Sequence, residues 1–305
     1  MTSVDPRALP AAAASVATDV RAQKPQHLRR NPFGDVLIYL ILLASASLVL
    51  GPFALSFMTA FKSPQQFASE SSLALPNPWT TENFARLFGG DYGFVSPIVV
   101  TAQVVAVILV GQLLFSVMAA YAFARLRWPG RNLVFGVFLG ALLVPPIFTS
   151  LPNFILIKNL GLLNTLPGMV LPAFLMTPFA IFFLRQFFLG INREIEEAAM
   201  IDGAGPWRIF FRIILPISTA PITTLAILTF IATWNDYFWP LLVGNTDQTK
   251  VLTVALGVFR SQTPAGSPDW AGLMAATLLT ALPVLILFFA FARKIIDSIG
   301  YSGSK

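Results

Sequence analysis

The stretch REIEEAAMIDGAGPWRIFFRIILP, Arg193–Pro216, is a polar insert between two almost wholly apolar parts of the chain. It contains four acidic residues, a central glycine and a tryptophan shortly after it. Asn192 is a favourable N-cap, and Gly203 can end the following helix in a left-handed conformation. Gly205-Pro206 is typical of a helix start, with proline at the first helical position. The insert therefore predicts two short helices that meet at Gly203.

Both predicted helices are amphipathic. Apolar residues recur at helical spacing in each of them: Ile191, Ile195, Ala198 and Ala199 in the first, and Trp207, Phe210, Phe211 and Ile214 in the second. Glu196 and Glu197 in the first helix, and Arg208 and Arg212 in the second, are turned differently. We expect the apolar faces to pack on other helices and the polar faces to meet water or a partner. The alternative is a loop that lies on lipid headgroups, anchored by Trp and Arg.

The composition is that of a membrane protein. Of the 305 residues, 56% are hydrophobic and only 11% are charged, and the mean hydropathy is +0.73. A soluble domain has about 25% charged residues. Since a membrane-spanning helix needs about 20 apolar residues, the sequence predicts an all-α integral membrane protein. We expect six spans, at about Val36–Met58, Pro97–Phe123, Leu133–Leu151, Leu166–Leu184, Ile217–Tyr237 and Ala271–Ala292.

The distribution of Lys and Arg predicts the orientation. Alternating the loops assigns about 15 basic residues to the side of the N-terminus and about 5 to the other side. Both termini and the insert are therefore expected to be cytoplasmic. The sequence predicts a disordered cytoplasmic leader at 1–35, a membrane domain at 36–296 and a short cytoplasmic tail at 297–305.

Several chemistries lack their usual residues in this sequence. It has no cysteine, and its one histidine, His27, lies in the polar leader. No G-x-x-x-x-G-K-[ST] phosphate loop occurs, and we expect no catalytic or metal site. No carboxylate, histidine or lysine falls in the middle third of a predicted span, where proton-coupled carriers keep one. The basic net charge is explained by orientation, so no nucleic-acid partner is expected.

The order of residues in the insert is more specific than its periodicity. Glu197-Ala198-Ala199, three residues, Gly203, nine residues, and then Ile213, Leu215 and Pro216 follow the pattern E-A-A-x3-G-x9-I-x-L-P. This pattern resembles the EAA loop of the permease subunits of ABC importers at every fixed position. FMTAFKSPQQF, TENFARLF, WNDYFWPLL and the pattern Trp270…Ala275-Ala276…Leu282-Pro283 are similar to the six-span carbohydrate permeases of the maltose-system type. The tail RKIIDSIGYSGSK resembles the usual end of that group only loosely.

The resemblance implies a type I importer permease in the cytoplasmic membrane of a prokaryote. Its partners would be a second permease subunit, an ABC ATPase dimer that carries ATP and Mg²⁺, and an extracytoplasmic sugar-binding protein. The loop at 190–216 would form a coupling helix in a groove of the ATPase. The residues implied in coupling are Glu197, Ala198, Ala199, Asp202, Gly203 and Pro216.

The substrate path is less defined by the sequence. Trp234, Asn235 and Asp236 form the most polar cluster near any span, about 28 Å from Ile217 along a helix. They either line the outer mouth of a sugar path and contact the binding protein, or form a helix end in an aromatic belt with Tyr237 and Trp239. The belt is the favoured interpretation. Other polar residues are expected to serve in packing or capping more than in substrate contact: Gln103, Gln112, Asn153, Asn159, Asn164 and Thr165.

The cargo implied by the resemblance is a di- or oligosaccharide. The same machine could instead import glycerol-3-phosphate or a polyol derivative, although a phosphate cargo predicts cationic residues in the pathway. A stand-alone channel or secondary carrier, with sodium sites made of carbonyl and hydroxyl oxygens, is a further alternative.

Overall fold

The computed structural model describes residues 32–71, 73–89, 93–262 and 269–300, and these residues form helices joined by turns, with no strand among them. The predicted leader up to residue 31, with His27, and residues 301–305 of the tail lie outside the described part. The helices are α1 (Pro32–Ala60), α2 (Pro64–Ser69), α3 (Glu82–Phe88), α4 (Val95–Arg125), α5 (Arg131–Leu142), α6 (Pro146–Asn159), α7 (Leu166–Phe174), α8 (Pro178–Gly190), α9 (Arg193–Ile201), α10 (Pro206–Ile209), a π-helix (Phe210–Ile214), α11 (Leu215–Ile217), α12 (Thr219–Trp234), α13 (Phe238–Val243), α14 (Leu252–Gln262) and α15 (Trp270–Gly300).

Several helices begin at a hydroxyl residue that is followed closely by proline. Ser63 Oγ accepts a hydrogen bond from the backbone N–H of Gln66 at 3.1 Å. Thr165 and Thr177 cap α7 and α8 in the same way. The hydroxyl satisfies one free N–H of the first turn, and the proline there lacks an N–H that would otherwise be unpaired. The capping role expected of Thr165 is confirmed.

Four helices are long and apolar enough to cross a membrane as single pieces. They lie at Phe33–Ala60, Val95–Arg125, Leu166–Gly190 and Trp270–Phe291, and they match the first, second, fourth and sixth predicted spans. The third segment of this set contains a short break between α7 and α8 at 175–177.

The third predicted span is not a continuous helix, and the fifth is one helix from Thr219 to Trp234 that follows a bend next to its predicted start. α5 and α6 meet at an angle of 103°, at the break that ends in Pro145-Pro146. The segment from Pro206 to Ile217 meets α12 at 73°, at Ser218. Proline lacks the N–H that continues a helix, which explains the first break. The described residues therefore contain four candidate spans, or six if each bent pair crosses as one.

The chain divides into two compact units after Ala54, within α1. In the unit that begins at Leu55, α4 is the central helix and packs against α5, α7, α8, α12 and α14. α4 and α7 approach closely at Gly111, where a side chain would overlap with Phe174. Small residues permit such backbone contact between membrane helices. α4 therefore holds together helices that are distant from one another in sequence.

Candidate functional site

The first half of the polar insert folds as the helix α9, which is capped at both ends. Asn192 Oδ1 accepts a hydrogen bond from the backbone N–H of Glu194 at 3.2 Å. At the other end, the N–H of Ala204 donates to Ala199 O and that of Gly203 donates to Met200 O. These two bonds, with Gly203 at a φ of +79°, form a Schellman motif. The prediction of two short helices that meet at a left-handed Gly203 is confirmed.

The exposed face of α9 differs from the predicted one. Glu197 and Ala198 are exposed, as are Ile195 and Met200. The buried position is Glu196, which is 6% exposed. The expectation that Ile195 and Ala198 form a packed apolar face is therefore wrong. An ion pair of Glu196 holds that one side chain against the protein and leaves Ile195 and Ala198 exposed.

That ion pair joins α9 to the end of α4. Arg125 Nε lies 2.9 Å from Glu196 Oε1, and the two side chains are only 4% and 8% exposed. Arg125 also donates from Nη2 to the backbone carbonyl of Ile191 at 2.6 Å. Sequence reasoning missed this pair, because Arg125 counted only as a basic residue at the end of a span. The one available signal was that Glu196 lies three residues before Ala199, and residues at that spacing share a helix face. Ala199 was predicted to lie on the packed face.

The second half of the insert is one continuous helical segment made of α10, the π-helix and α11. Its buried residues are Ile209, Phe210 and Ile214, while Trp207 is 65% exposed and Phe211 is 52% exposed. These two exposed rings stack on each other, with centroids 6.0 Å apart. The prediction that Trp207 and Phe211 share the packed face is wrong. The wider turn of the π-helix changes which side chains point inward, so the 3.6-residue spacing does not apply there.

Pro216 lies in α11, directly after the π-helix. The N–H of Leu215 donates to Phe210 O, a bond to the fifth residue back. Pro216 has no N–H to restore the ordinary helical ladder. The chain then bends at the buried Ser218, whose N–H donates to Ile214 O and Leu215 O. Pro216 therefore lies between the π-helix and the bend that begins α12.

A cavity of about 690 Å³ lies among α4, α6, α7, α12 and the segment after α12. Its polar lining residues carry hydroxyl, amide or carboxylate groups: Thr101, Gln112, Thr149, Ser150, Asn153, Thr177, Thr229, Thr233 and Asp236. Among the described residues that line it, Asp236 is the one charged side chain. Gln112 Nε2 donates to Thr177 Oγ1 at 2.9 Å, so Gln112 both lines the cavity and joins α4 to the α8 cap.

The structure separates the three residues of the predicted polar cluster. Trp234 is buried, and its indole Nε1 donates to the backbone carbonyl of Thr280 at 2.9 Å. Asn235 is exposed and donates to Ile231 O at the end of α12. Asp236 lines the cavity and accepts a hydrogen bond from the N–H of Trp239 at 3.4 Å. Asp236 alone of the three reaches the cavity.

The favoured aromatic belt is wrong for two of its three rings. Trp234 packs parallel to Phe230, with centroids 5.6 Å apart, inside a buried cluster. Trp239 lines the cavity and donates from Nε1 to Met169 O at 3.0 Å. Tyr237 is 43% exposed. Both indole N–H groups are used to join helices of the protein, which a sequence pattern of interfacial aromatics does not reveal.

In the described part of the chain, no three His, Cys, Asp or Glu side chains lie close enough together to hold a metal ion.

Comparison with known proteins gives a consistent result. The model of the family "Binding-protein-dependent transport system inner membrane component" matches residues 112–299. The diacetylchitobiose uptake system permease protein of Streptomyces coelicolor is 37% identical over 266 residues, which cover 85% of each chain. The sn-glycerol-3-phosphate transport system permease protein of Yersinia pestis is 32% identical over 274 residues, 87% of this chain and 96% of that protein.

A solved structure has the same fold. It is a bacterial ABC transporter involved in the import of the acidic polysaccharide alginate, and it covers 88% of this chain and 99% of its own matched chain. The TM-score is 0.78 and the sequence identity is 21%.

Proposed function

Because the chain belongs to the family of binding-protein-dependent transport system inner membrane components, we propose that it is the permease subunit of an ATP-driven importer for a di- or oligosaccharide. It forms half of a translocation path in a prokaryotic cytoplasmic membrane, with six crossings and both termini in the cytoplasm. A second permease subunit forms the other half. An extracytoplasmic binding protein delivers the cargo.

The observation that carries this proposal is the exposed helix α9, closed by the left-handed Gly203. Glu197 and Ala198 of the EAA pattern are exposed there, while Ala199 packs in part against the core of the chain. Small residues allow a partner to approach closely, and a carboxylate can accept charge-assisted hydrogen bonds from a partner cation. We propose that α9 is the coupling helix and that it docks on an ABC ATPase dimer, which binds ATP and Mg²⁺ and performs the hydrolysis.

The proposed coupling residues form two groups, those that contact the ATPase and those that fix the course of the backbone. Glu197, Ala198 and Ala199 form the proposed contact with the ATPase. Asp202 and Gly203 fix the turn that closes α9, and Pro216 precedes the bend into α12. A displacement of α9 is thereby passed to helices that line the cavity, and ATP binding favours one of two pathway conformations.

The cavity supports an uncharged, hydroxyl-rich cargo. Thr149 Oγ1 and Ser150 Oγ each donate to the backbone carbonyl of Pro146 at 2.9 Å. Hydroxyl oxygens that donate in this way keep lone pairs free to accept hydrogen bonds from sugar hydroxyls. Asp236 can accept two such bonds. Within the proposed path, Asp236 is the direct cargo contact, Trp234 holds α12 against α15, and the exposed Asn235 belongs to the surface that meets the binding protein.

Glycerol-3-phosphate is the second candidate cargo, because one relative transports it by name and is 32% identical. Phosphate recognition relies on Arg, Lys or backbone N–H groups. The described residues that line the cavity include no Lys or Arg, and their one charged group is the carboxylate of Asp236. The lining therefore favours the uncharged sugar.

The test is purification of the tagged chain from its own membranes, followed by uptake in a deletion strain. We expect an ABC ATPase and a second permease to co-purify. We also expect uptake of radiolabelled diacetylchitobiose or another neutral oligosaccharide to require the chain and ATP. Transport by the isolated chain without ATP would contradict the proposal, and ATP-dependent uptake of glycerol-3-phosphate alone would select the second cargo.

A further inference from the structure

The buried ion pair between Arg125 and Glu196 is not accounted for by stability alone. Removing two charges from water is costly, and an apolar pair of similar volume is often as stable. A buried pair is retained in some proteins because it fixes one geometry among several. Here it fixes the orientation of a helix whose opposite face is exposed, with Glu197 and Ala198 pointing away from the protein.

Arg125 contacts two groups, one in α9 and one in the segment that leads into it. Its Nε faces Glu196, and its Nη2 donates to the backbone carbonyl of Ile191, directly before α9 begins. The planar guanidinium thus holds the helix and the residue that leads into it with one rigid group. Glu194 is an exposed carboxylate on the same helix, and its Oε2 accepts a bond only from the neighbouring Asn192 among the contacts described for it.

α4 connects this contact to the cavity without interruption. Arg125 is the last residue of α4, and Gln112 and Ile108 of the same helix line the cavity. The distance from Arg125 to Gln112 along the axis is about 20 Å at 1.5 Å per residue. The helix between them contains no glycine or proline after Gln112. It can therefore move as one rigid rod.

The route along the chain is less rigid. From α9 to α12 it passes the left-handed turn at Gly203, the π-helix and the 73° bend at Ser218. Each of these is a place where a helix can change direction. A displacement of α9 would be absorbed in part at those points, whereas the contact with Arg125 is direct.

We propose that Arg125 and Glu196 are a positioning pair that transmits the displacement of α9 to α4, and through α4 to the cavity wall. The inference rests on the proposed function, since it needs α9 to be moved by an ATPase. Neither residue contacts cargo or nucleotide. Their role is to make α9 and the cytoplasmic end of α4 move together.

The experiment uses the complete importer, purified with its own partners and reconstituted in lipid vesicles with the binding protein. ATP hydrolysis is measured with and without the cargo-loaded binding protein. The variants are Glu196→Gln, Arg125→Gln and the charge-exchanged pair Arg125→Glu with Glu196→Arg. Glu194→Gln, an exposed carboxylate on the same helix, is the matched control.

We expect Glu196→Gln and Arg125→Gln to keep the ATPase bound but to reduce the binding-protein-stimulated hydrolysis about tenfold, because each variant leaves the other charge buried without its ionic partner. The exchanged pair should recover a substantial part of the stimulation, and Glu194→Gln should change it less than twofold. A purely structural role predicts loss of assembled complex instead, with normal stimulation in the complex that remains. That result would overturn the inference, as would full stimulation in both single variants.

A second measurement remains informative if the single variants fail to accumulate. The chain has no cysteine, so Leu114→Cys on α4 and Glu194→Cys on α9 can carry two spin labels in an otherwise unchanged protein. Both positions are exposed. We expect the distance between the labels to stay constant between the nucleotide-free and ATP-bound complexes. A change of more than about one helical turn, about 5 Å, would overturn the inference. A wild-type complex that recruits no ATPase would instead contradict the proposed function, and the inference with it.

Discussion

The segments at the two ends of α12 are built in opposite ways. Before it, the insert exposes large apolar side chains, with Ile201 87% and Trp207 65% exposed. At its other end, Trp234 and the nearby Trp239 each donate to a backbone carbonyl of another helix. Exposed apolar surface rimmed by polar residues is typical of protein or membrane contact sites. The segment before the helix is the one proposed to meet the ATPase, whereas the rings at its other end bond within the chain.

The largest effect on transport is expected from a change in the turn at Gly203. Gly203→Pro should abolish ATP-driven uptake, because proline cannot adopt a φ of +79° and would remove the N–H that donates to Met200 O. Gly203→Ala should be intermediate, since a left-handed alanine costs about 1–2 kcal/mol. Uptake of labelled sugar in cells is the measurement.

Gly205→Ala is the matched control for that series, because Gly205 has a φ of −73° and open space around its α-carbon. It should transport normally. Normal uptake by Gly203→Pro would show that the left-handed turn has no role in coupling.

Charge reversal at the exposed face tests the proposed ATPase contact. Glu197→Lys should weaken co-purification of the ATPase by about tenfold or more, since reversal places like charges together in a desolvated contact. Glu194→Lys, on the same helix, should have a much smaller effect. The measurement is the amount of ATPase retained on the tagged permease at increasing salt. Equal losses for the two variants would indicate a general charge effect in place of a specific contact.

At the other end, Asp236→Asn tests the cargo contact. Hydrogen bonds to a charged group exceed neutral ones by about 1 kcal/mol, so uptake of a neutral oligosaccharide at low concentration should fall about fivefold. ATP hydrolysis in the absence of cargo should not change. Thr253 donates to the backbone carbonyl of Asp236, and that bond does not depend on the side chain. An unchanged uptake would remove Asp236 from the proposed path.

The smallest effect is expected for Trp234→Phe. Phenylalanine keeps the stacking on Phe230 and loses only the hydrogen bond to Thr280 O. The expected cost is about 1 kcal/mol, which lowers the melting temperature by about 2–4 °C. Trp79→Phe, at an exposed ring, is the control. A larger loss of transport than of thermal stability would assign Trp234 a direct role in the path.

Much of the coupling segment could be predicted because its signals are local. Asn192, Gly203 and Pro206 each act through the conformation of their own residue or its immediate neighbours, and all three lie where the sequence placed them. The faces of the same helices could not be predicted. Glu196 is buried because Arg125, distant in sequence, lies opposite it. Phe211 is exposed within a π-helix, where the regular spacing does not apply, and it stacks on the exposed Trp207 one turn earlier.

Which residues line the cavity depends even more on how the helices pack. Gln112 and Asn153 were expected to serve in packing more than in substrate contact. Gln112 does join two helices through Thr177, and both residues also line the cavity. Trp234 and Trp239 were predicted to be interfacial rings, because a sequence does not show to which carbonyl an indole N–H donates. Asp236 and Asn235 are adjacent in sequence, but Asn235 is exposed and Asp236 lines the cavity.

By itself, the sequence determined that this protein is a helical membrane chain, where its apolar segments lie and which loop carries the EAA pattern, because hydrophobicity, capping and residue order are properties of adjacent residues. Only the tertiary structure decided that the third segment is bent, that the fifth follows a bend at Ser218, that Arg125 holds Glu196, and that Asp236 faces the cavity. Those features depend on groups brought together from distant parts of the chain, where burial makes one partner for each charge or N–H far more favourable than any other.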